Sequence, residues 1–305
     1  MKNSSNENNL VIESYNRSNA LKVKEIIDLY NEESYLFHLL RNNKTKCAYV
    51  AYYNKDVVGI FFAWSNNFHP YCTYFRIYTN PFYSELHIEQ YLLSEIQKRE
   101  NFKLPLQTSI WETSAHLKSY YEEHNFMEIR RTFMPILDVR KIVSIDIVPN
   151  PNYHLQTLSN ILSDNNLLEK LAYLVKEIYE QTHLANPVAS FPLQTWKEMI
   201  LADDVLLDGS FLIIGEENEI IGYSLLHTSE KDNTLELGWC GTHTTDNLSL
   251  LKLLVFEQAM YANKHGYSFI QGEFDSTSIY AMEVLKSFPF NPCATWITYQ
   301  KEARK

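Results

Sequence analysis

The stretch Ser109–Phe133, SIWETSAHLKSYYEEHNFMEIRRTF, reads as a strand ending near Glu112, a short helix starting around Ser114, a turn at Asn125 and a second strand entered by Phe126. Ser114 suits an N-cap, because its hydroxyl can accept from an orphan amide of the first turn. Asn125 is the commonest non-glycine residue where a helix ends in a left-handed conformation. The helix carries Tyr120 and Tyr121, and the unit aims a tyrosine at whatever lies beside the first strand.

The same unit recurs near the other end of the chain. Ser278–Phe290, SIYAMEVLKSFPF, again has a serine start, a helical pattern and a phenylalanine after a turn. Phe126 and Phe290 are 164 residues apart, as are Ser114 and Ser278. Gly59 and Gly222, each closing an aliphatic pair after a polar turn (NKDVVG, NEIIG), are 163 apart, and Pro81 falls opposite Thr244 at the same offset. Two copies of one domain account for this.

Working outward, the order of elements is similar in both copies. Leu10–Tyr15 reads as a strand and Ala20–Leu40 carries apolar residues at helical spacing. Cys47–Trp64 reads as two strands joined by a turn at Asn54–Asp56, followed by a strand stopped at Pro81 and an amphipathic helix over His87–Lys98. Thr132–Val139 closes the first copy. Arg140–Leu158, with VPNPN at its centre, reads as a linker in which SIDIV is a possible strand. Helices are then expected over Leu167–Thr182, Thr195–Leu201 and Leu248–Lys264. Strands are expected in SFLIIGEENEIIGYSLLHT, Thr234–Thr242, SFIQGEFD and ATWITYQ. The expected division is an N-terminal domain over 1–140, a linker over 141–158 and a C-terminal domain over 159–305, both α/β with mixed, mainly antiparallel sheets.

Length and charge bound the function. The 305 residues suit about two domains. A formal charge of −10 argues against nucleic acid or an anionic membrane as a general partner, since such surfaces need a basic stripe. No run approaches the ~18 apolar residues of a membrane span, and MKNSSNENN is too polar for a signal peptide. A cytoplasmic protein, monomer or homodimer, is expected. The four cysteines, Cys47, Cys72, Cys240 and Cys293, form no CxxC pair, so no zinc or redox motif is expected. Cys47 and Cys240 sit in apolar runs and read as buried free thiols. His69 and His116 have no carboxylate or second histidine at a spacing that suggests a metal or a hydrolytic triad. His183, in EQTHLANP, reads as a partner of helix-terminal carbonyls.

This order of elements, with "YYEEHNF" after the strand–helix step, resembles the GNAT acetyltransferase superfamily, most clearly over residues 47–133 and 210–299. The doubled arrangement is similar to that of its tandem members, of which mycothiol synthase is one. The resemblance implies acetyl transfer from acetyl-CoA, as cosubstrate, to an amine of a small molecule or peptide. It implies a general acid at the tyrosine five residues before the phenylalanine of the family's "fYeklGF" segment. Tyr121 holds that position in the first copy; Leu285 holds it in the second.

The family's cofactor signature is Arg or Gln, two residues, Gly, one residue, then Gly or Ala, opening the helix after the fourth strand. Amides and dipole there face a diphosphate, and glycines let the backbone approach. Its three positions fall on Ser84, His87 and Glu89 in the first copy, and on Asn247, Leu250 and Lys252 in the second, so neither loop keeps a glycine. Glu85 and Glu89 oppose a phosphate in the first copy. Asn247, Ser249 and Lys252 suit one better, with Thr242 and His243 at the preceding strand end and Asp246 nearby. The second copy is the one expected to bind the cofactor. Glu236, in LELGWCGT, is the candidate base there if burial raises its pKa; Glu112 is a second candidate beside Tyr121.

Bland readings stand beside these. Tyr121 is one of 21 tyrosines, and Glu236 reads equally as a solvent-facing strand residue. Tyr71, Tyr74, Phe75, Tyr78 and Tyr83 are expected to line in part a cleft taking an amine on an apolar body. A fold kept for binding after loss of catalysis, or a substrate-binding first domain serving a catalytic second one, are the competing functions.

Overall fold

The computed structural model describes residues 10–30, 34–142, 144 and 151–302. Its strands are β1 (Leu10–Ser14), β2 (Cys47–Tyr53), β3 (Asp56–Trp64), β4 (Thr73–Thr79), β5 (Leu106–Trp111), β6 (Met127–Phe133), β7 (Ile136–Asp138), β8 (His154–Thr157), β9 (Phe211–Ile214), β10 (Ile220–Thr228), β11 (Thr234–Thr242), β12 (Phe269–Gln271), β13 (Phe274–Asp275) and β14 (Thr295–Lys301). The helices are α1 (Ala20–Asp28), α2 (Ser34–Arg41), α3 (Ile88–Arg99), α4 (Ala115–Glu123), α5 (Leu158–Ile161), α6 (Asn165–Thr182), α7 (Leu193–Ile200), α8 (Leu250–Lys264) and α9 (Ile279–Ser287). The architecture is two α/β units built on mixed sheets.

Local chemistry explains the turns. Asn54 and Lys55 both have positive φ, at 51° and 72°, the two-residue geometry whose twist matches the β2–β3 hairpin. Asn125 ends α4 at φ 62° as expected. Ser114 stands at the N-cap of α4 but its hydroxyl caps no amide, whereas Ser278 accepts from the Ala281 amide at 3.2 Å. The internal repeat is visible in the pairing: Gly59 lies opposite Thr79 on β3–β4, and Gly222 opposite Thr242 on β10–β11. A Cβ on Gly59 would come within 2.9 Å of Ile88, the first residue of α3, so the glycine lets that helix sit close on the sheet.

Along β3, Ile60, Phe62 and Trp64 enter one core with α1 and α2, while Phe61 and Ala63 enter another with α3 and α4. In the second unit α6 packs over Tyr223 and Gly241, and α8 packs on the opposite face, where Gln258 bonds Ser224.

The two units exchange their ends. The first sheet has the order β1-β2-β3-β4-β5-β14-β6-β13, and the second β7-β12-β11-β10-β9-β8. Thus β14, far along the chain, fills the slot between β5 and β6, while β7 pairs with β12 in the other sheet. SFIQGEFD does not form one strand: it breaks at Gly272 into β12 in the second sheet and β13, which pairs with β6 of the first. Ala20–Leu40 likewise divides into α1 and α2, with residues 31–33 outside the described ones. The stretch expected to be a linker supplies β8, an edge strand of the second sheet. SIDIV beyond Ser144 and the first nine residues lie outside the described residues. Among the described residues no helix is long and apolar enough to cross a membrane.

Candidate active site

Each unit contains a parallel pair that starts together and then parts. Strands β4 and β5 pair only at Thr73–Leu106 and Tyr74–Gln107; β11 and β12 pair only from Thr234–Phe269 to Glu236–Gln271. Beyond these points the strands diverge, and a wedge opens in each sheet, about 480 Å³ in the first unit and about 440 Å³ in the second.

The wedges differ in their fourth strand. In the first unit β3 and β4 run in unbroken register from Gly59–Thr79 to Trp64–Tyr74. In the second, Ser224 faces Cys240 but Leu226 faces Leu237, so β11 carries one extra residue at Gly238–Trp239. Such a bulge kinks the strand and frees ladder groups, as is common beside active sites. Within the first wedge Arg76 reaches across from β4 to the Thr108 hydroxyl on β5 at 3.3 Å, with its guanidinium near the rings of Trp64 and Trp296. Tyr121 borders this wedge but is fully enclosed, packed on Phe75, Phe126 and Tyr299, and burial pushes its phenol up.

The second wedge is lined by both halves of the chain. Helix α6 contributes Tyr179 and His183, which are one turn apart and stack at 3.9 Å. The loop between β3 and β4 contributes His69, stacked on His183 at 5.4 Å. The Asn66 side chain shapes that loop by accepting from the Phe68 amide, and Phe68 stacks on Phe191. Asn186 clamps it: its carbonyl accepts from His69 Nδ1 at 2.8 Å, and its side chain bonds Tyr74 and Cys72. Strand β6 contributes Arg130, 3.1 Å from Asp275 of β13.

These contacts fix the imidazole tautomers. A carbonyl only accepts, so His69 carries its proton on Nδ1 and its Nε2 accepts from the Tyr179 hydroxyl at 2.9 Å. His183 Nδ1 donates to the Tyr179 carbonyl at 2.8 Å, which leaves the Nε2 lone pair toward Asp275 at 3.9 Å. Burial depresses the pKa of both rings; Arg130 lowers that of His183 further, and Asp275 partly opposes it. Both are neutral at pH 7. The carbonyl contact expected for His183 is present, and the residue also faces the wedge.

The other residues singled out by sequence lie as follows. Glu236 is half-buried, borders the second wedge and accepts from Ser229 at 2.6 Å. Glu112 lies at the end of β5 with its carboxylate bonded to the Thr295 hydroxyl and amide, which hold its pKa below the usual range, and Arg131 lies 3.6 Å away. Of the aromatic group, Phe75 and Tyr78 are buried in opposite cores, Tyr83 packs at the edge of one of them, Tyr71 is exposed and Tyr74 joins the two halves. The thiols of Cys47 and Cys240 are both half-buried and pushed up to about 12, chiefly by burial. Among the described residues no group of three or more His, Cys, Asp or Glu is arranged to hold a metal ion.

The cofactor positions separate by charge. In the first unit Ser84 lies in a 3-10 turn, and His87 caps α3 in the left-handed conformation at φ 48°. Glu89 follows in the first helical turn. Burial would raise its pKa, but hydrogen bonds from His116 and Thr79 outweigh that and keep it charged. A diphosphate does not fit beside this carboxylate. In the second unit the first turn of α8 has no acidic residue. Ser249 is its N-cap, Leu250 its first residue, and Lys252 lies 3.7 Å from Glu283 of α9. Thr242 is buried at the strand end, Asn247 bonds the Thr244 hydroxyl, and His243 stands at the surface 3.4 Å from Glu219. Asp246 lies in the 3-10 turn that leads into this helix.

No family model and no curated protein matches the sequence. Solved structures do match its fold. A GCN5-related N-acetyltransferase from Sphaerobacter thermophilus superposes with a TM-score of 0.59 at 14% identity, over 97% of this chain and 96% of its own. A tandem GNAT protein from the clavulanic acid biosynthesis pathway gives 0.59 at 13% identity, over 97% and 99%. A GNAT-family acetyltransferase from Colwellia psychrerythraea gives 0.55 at 11% identity, over 96% and 100%. The chain has the tandem GNAT fold.

Proposed function

We propose that the second unit transfers an acetyl group from acetyl-CoA to an amine of a small molecule or peptide, and that the first unit serves it as a wall of the acceptor site. The observation that carries this reading is the contrast between the wedges: the second has a bulged strand, a first turn of α8 without a carboxylate of its own, and a neutral imidazole. The first has an unbroken ladder, a bridging Arg76 and a buried carboxylate at the helix start. Acetyl-CoA supplies a thioester carbonyl to the wedge. The α8 start and Lys252 hold its phosphates. Amides freed at Gly238–Trp239 stabilise the developing oxyanion. His183 Nε2 takes the amine proton, and Asp275 steadies the imidazolium that results. The C–N bond forms, the C–S bond breaks, and the proton passes from His183 to the departing thiolate.

The test is calorimetric titration of acetyl-CoA into the protein and into Lys252→Glu and His87→Glu variants, paired with an assay of thiol release. Weakening by roughly tenfold or more with Lys252→Glu alone is expected, since reversing a charge beside a phosphate costs on the order of 1.4 kcal/mol or more. Weakening only with His87→Glu, or no binding at all, overturns the proposal. A binding protein without catalysis is the second reading, favoured by the absence of glycine from both loops; it expects acetyl-CoA to bind with no amine-dependent thiol release.

A further inference from the structure

We infer that Tyr179 and His69 are positioning residues for His183: a hydrogen-bonded chain from the first unit holds a tyrosine ring flat against the imidazole, and that face stabilises the ring when it takes up a proton. The inference rests on the transferase reading only for making His183 the base; the stack and its effect on proton uptake stand without it. The chain begins at the Asn186 carbonyl, which accepts from His69 Nδ1 at 2.8 Å. His69 Nε2 in turn accepts from the Tyr179 hydroxyl at 2.9 Å. With its hydroxyl so held, the Tyr179 ring lies 3.9 Å from that of His183 at an interplanar angle of 9°. Phe68, Trp196 and Trp239 surround Tyr179 at 5.6, 5.5 and 5.4 Å and bar it from turning. Phe68 and His69 both belong to the loop between β3 and β4, so the first unit supplies the anchor.

The groups facing His183 pull in opposite directions. Burial and Arg130 of β6 disfavour an imidazolium, while Asp275 of β13, 3.9 Å from Nε2, favours one. Glu273, between β12 and β13, borders the same wedge, and His69 opposes a second proton beside its own ring. The Tyr179 face adds to the favourable side, because a cation over an aromatic ring is drawn to its quadrupole and a neutral imidazole gains far less. Donating its hydroxyl proton to His69 leaves the tyrosine ring richer in electrons, which strengthens the attraction. The stack therefore acts on proton uptake as well as on the orientation of the imidazole.

The test follows the Cε1 proton of His183 by NMR without acetyl-CoA, assigned with His183→Gln and titrated from pH 8 to about pH 4.5. The pH profile of amine-dependent thiol release is measured in parallel. Tyr179→Leu keeps bulk but no π face, and should lower the His183 midpoint by about one unit, a tenfold loss of proton affinity. The acid limb of kcat should move with it, and kcat should fall roughly threefold or more with KM little changed. Tyr179→Phe keeps the face and should stay within about threefold of the parent protein in proton affinity. His69→Leu and His69→Gln both remove a titrating ring, but only Gln can still accept from the Tyr179 hydroxyl. The His183 midpoint should therefore lie about threefold lower in proton affinity in His69→Leu than in His69→Gln. Tyr173→Leu, on the exposed face of α6, should change neither readout. An unchanged midpoint in Tyr179→Leu, an equal loss in Tyr179→Phe, or equal midpoints in the two His69 variants overturns the inference. Should Tyr179→Leu fail to fold, as its melting curve would show, the His69 pair decides alone. Shifted midpoints without thiol release from the parent protein would sink the transferase reading and leave the stack standing. Thiol release with an unmoved midpoint would keep the transferase and remove the stack.

Discussion

The exchange of strands makes a crossed prediction: a core mutation near one end of the chain should loosen the other half. Ile297 on β14 is fully buried between Ile110 of β5 and Arg131 of β6, in the core that contains Phe61, Phe75 and Tyr121. Leu137 on β7 is equally buried opposite Ile270, in the core of the second unit. Truncating either to alanine removes three buried side-chain carbons and leaves a cavity, at a cost of about 2–5 kcal/mol. Taking about 3 kcal/mol, the local opening equilibrium rises roughly 150-fold. Native-state hydrogen exchange followed on peptides reads the two units separately. Ile297→Ala should accelerate amides of β2–β5, and Leu137→Ala those of β9–β11. Acceleration confined to the half in which each mutated residue is numbered, or equal in both halves, would refute the exchange.

Other measurements reach different parts of the argument. Burial lowers the pKa of His69 and His183 below 6.5, so between that value and the folded pKa the unfolded chain binds more protons; stability should fall as pH drops below about 6.5, level off beneath the folded pKa, and do so less in His69→Gln. Urea midpoints at pH 7.5, 6.0 and 5.0 check this, and a flat profile would contradict it. Lys55→Gly relieves a side chain at φ 72° in the β2–β3 turn and should stabilise by about 1 kcal/mol, a rise in melting temperature of about 2 °C. Of the four cysteines only Cys293 is exposed, and the thiols of Cys47, Cys72 and Cys240 are all pushed up by burial. Native protein should therefore take one alkyl group quickly, and four in denaturant, as read by mass.

Much of the fold was legible because its signals are local. The offsets linking Gly59 to Gly222 and Ser114 to Ser278 reappear as equivalent strand and cap positions, and Asn125 adopts the left-handed turn its type suggests. The exchange was not legible, because TWITYQK alternates as well in one sheet as in the other; its place is decided by the slot between β5 and β6, which local pattern does not contain. Gly272 gave a hint, since a glycine inside a strand pattern often marks a break. In the candidate site, Glu236 was found from its place on the fourth strand. His183 was read only as a helix cap, although Tyr179 and His183 at a spacing of four share a helix face. His69 and Arg130 come from the other half of the chain and meet the wedge only through tertiary packing, which no spacing encodes.

The swapped strand also sets a timetable for synthesis. Strand β14 begins about 160 residues after β6 ends, and at roughly 5–20 residues per second the ribosome takes on the order of 10–30 s to deliver it. Through that interval β5 and β6 of the nascent chain have no partner between them, and their open edges invite pairing with neighbouring chains. The first unit cannot finish before the second has been made, so the usual order of domain folding along a chain is reversed. For the same reason a recombination event that separates the two copies would leave both with a missing strand, which ties their inheritance together.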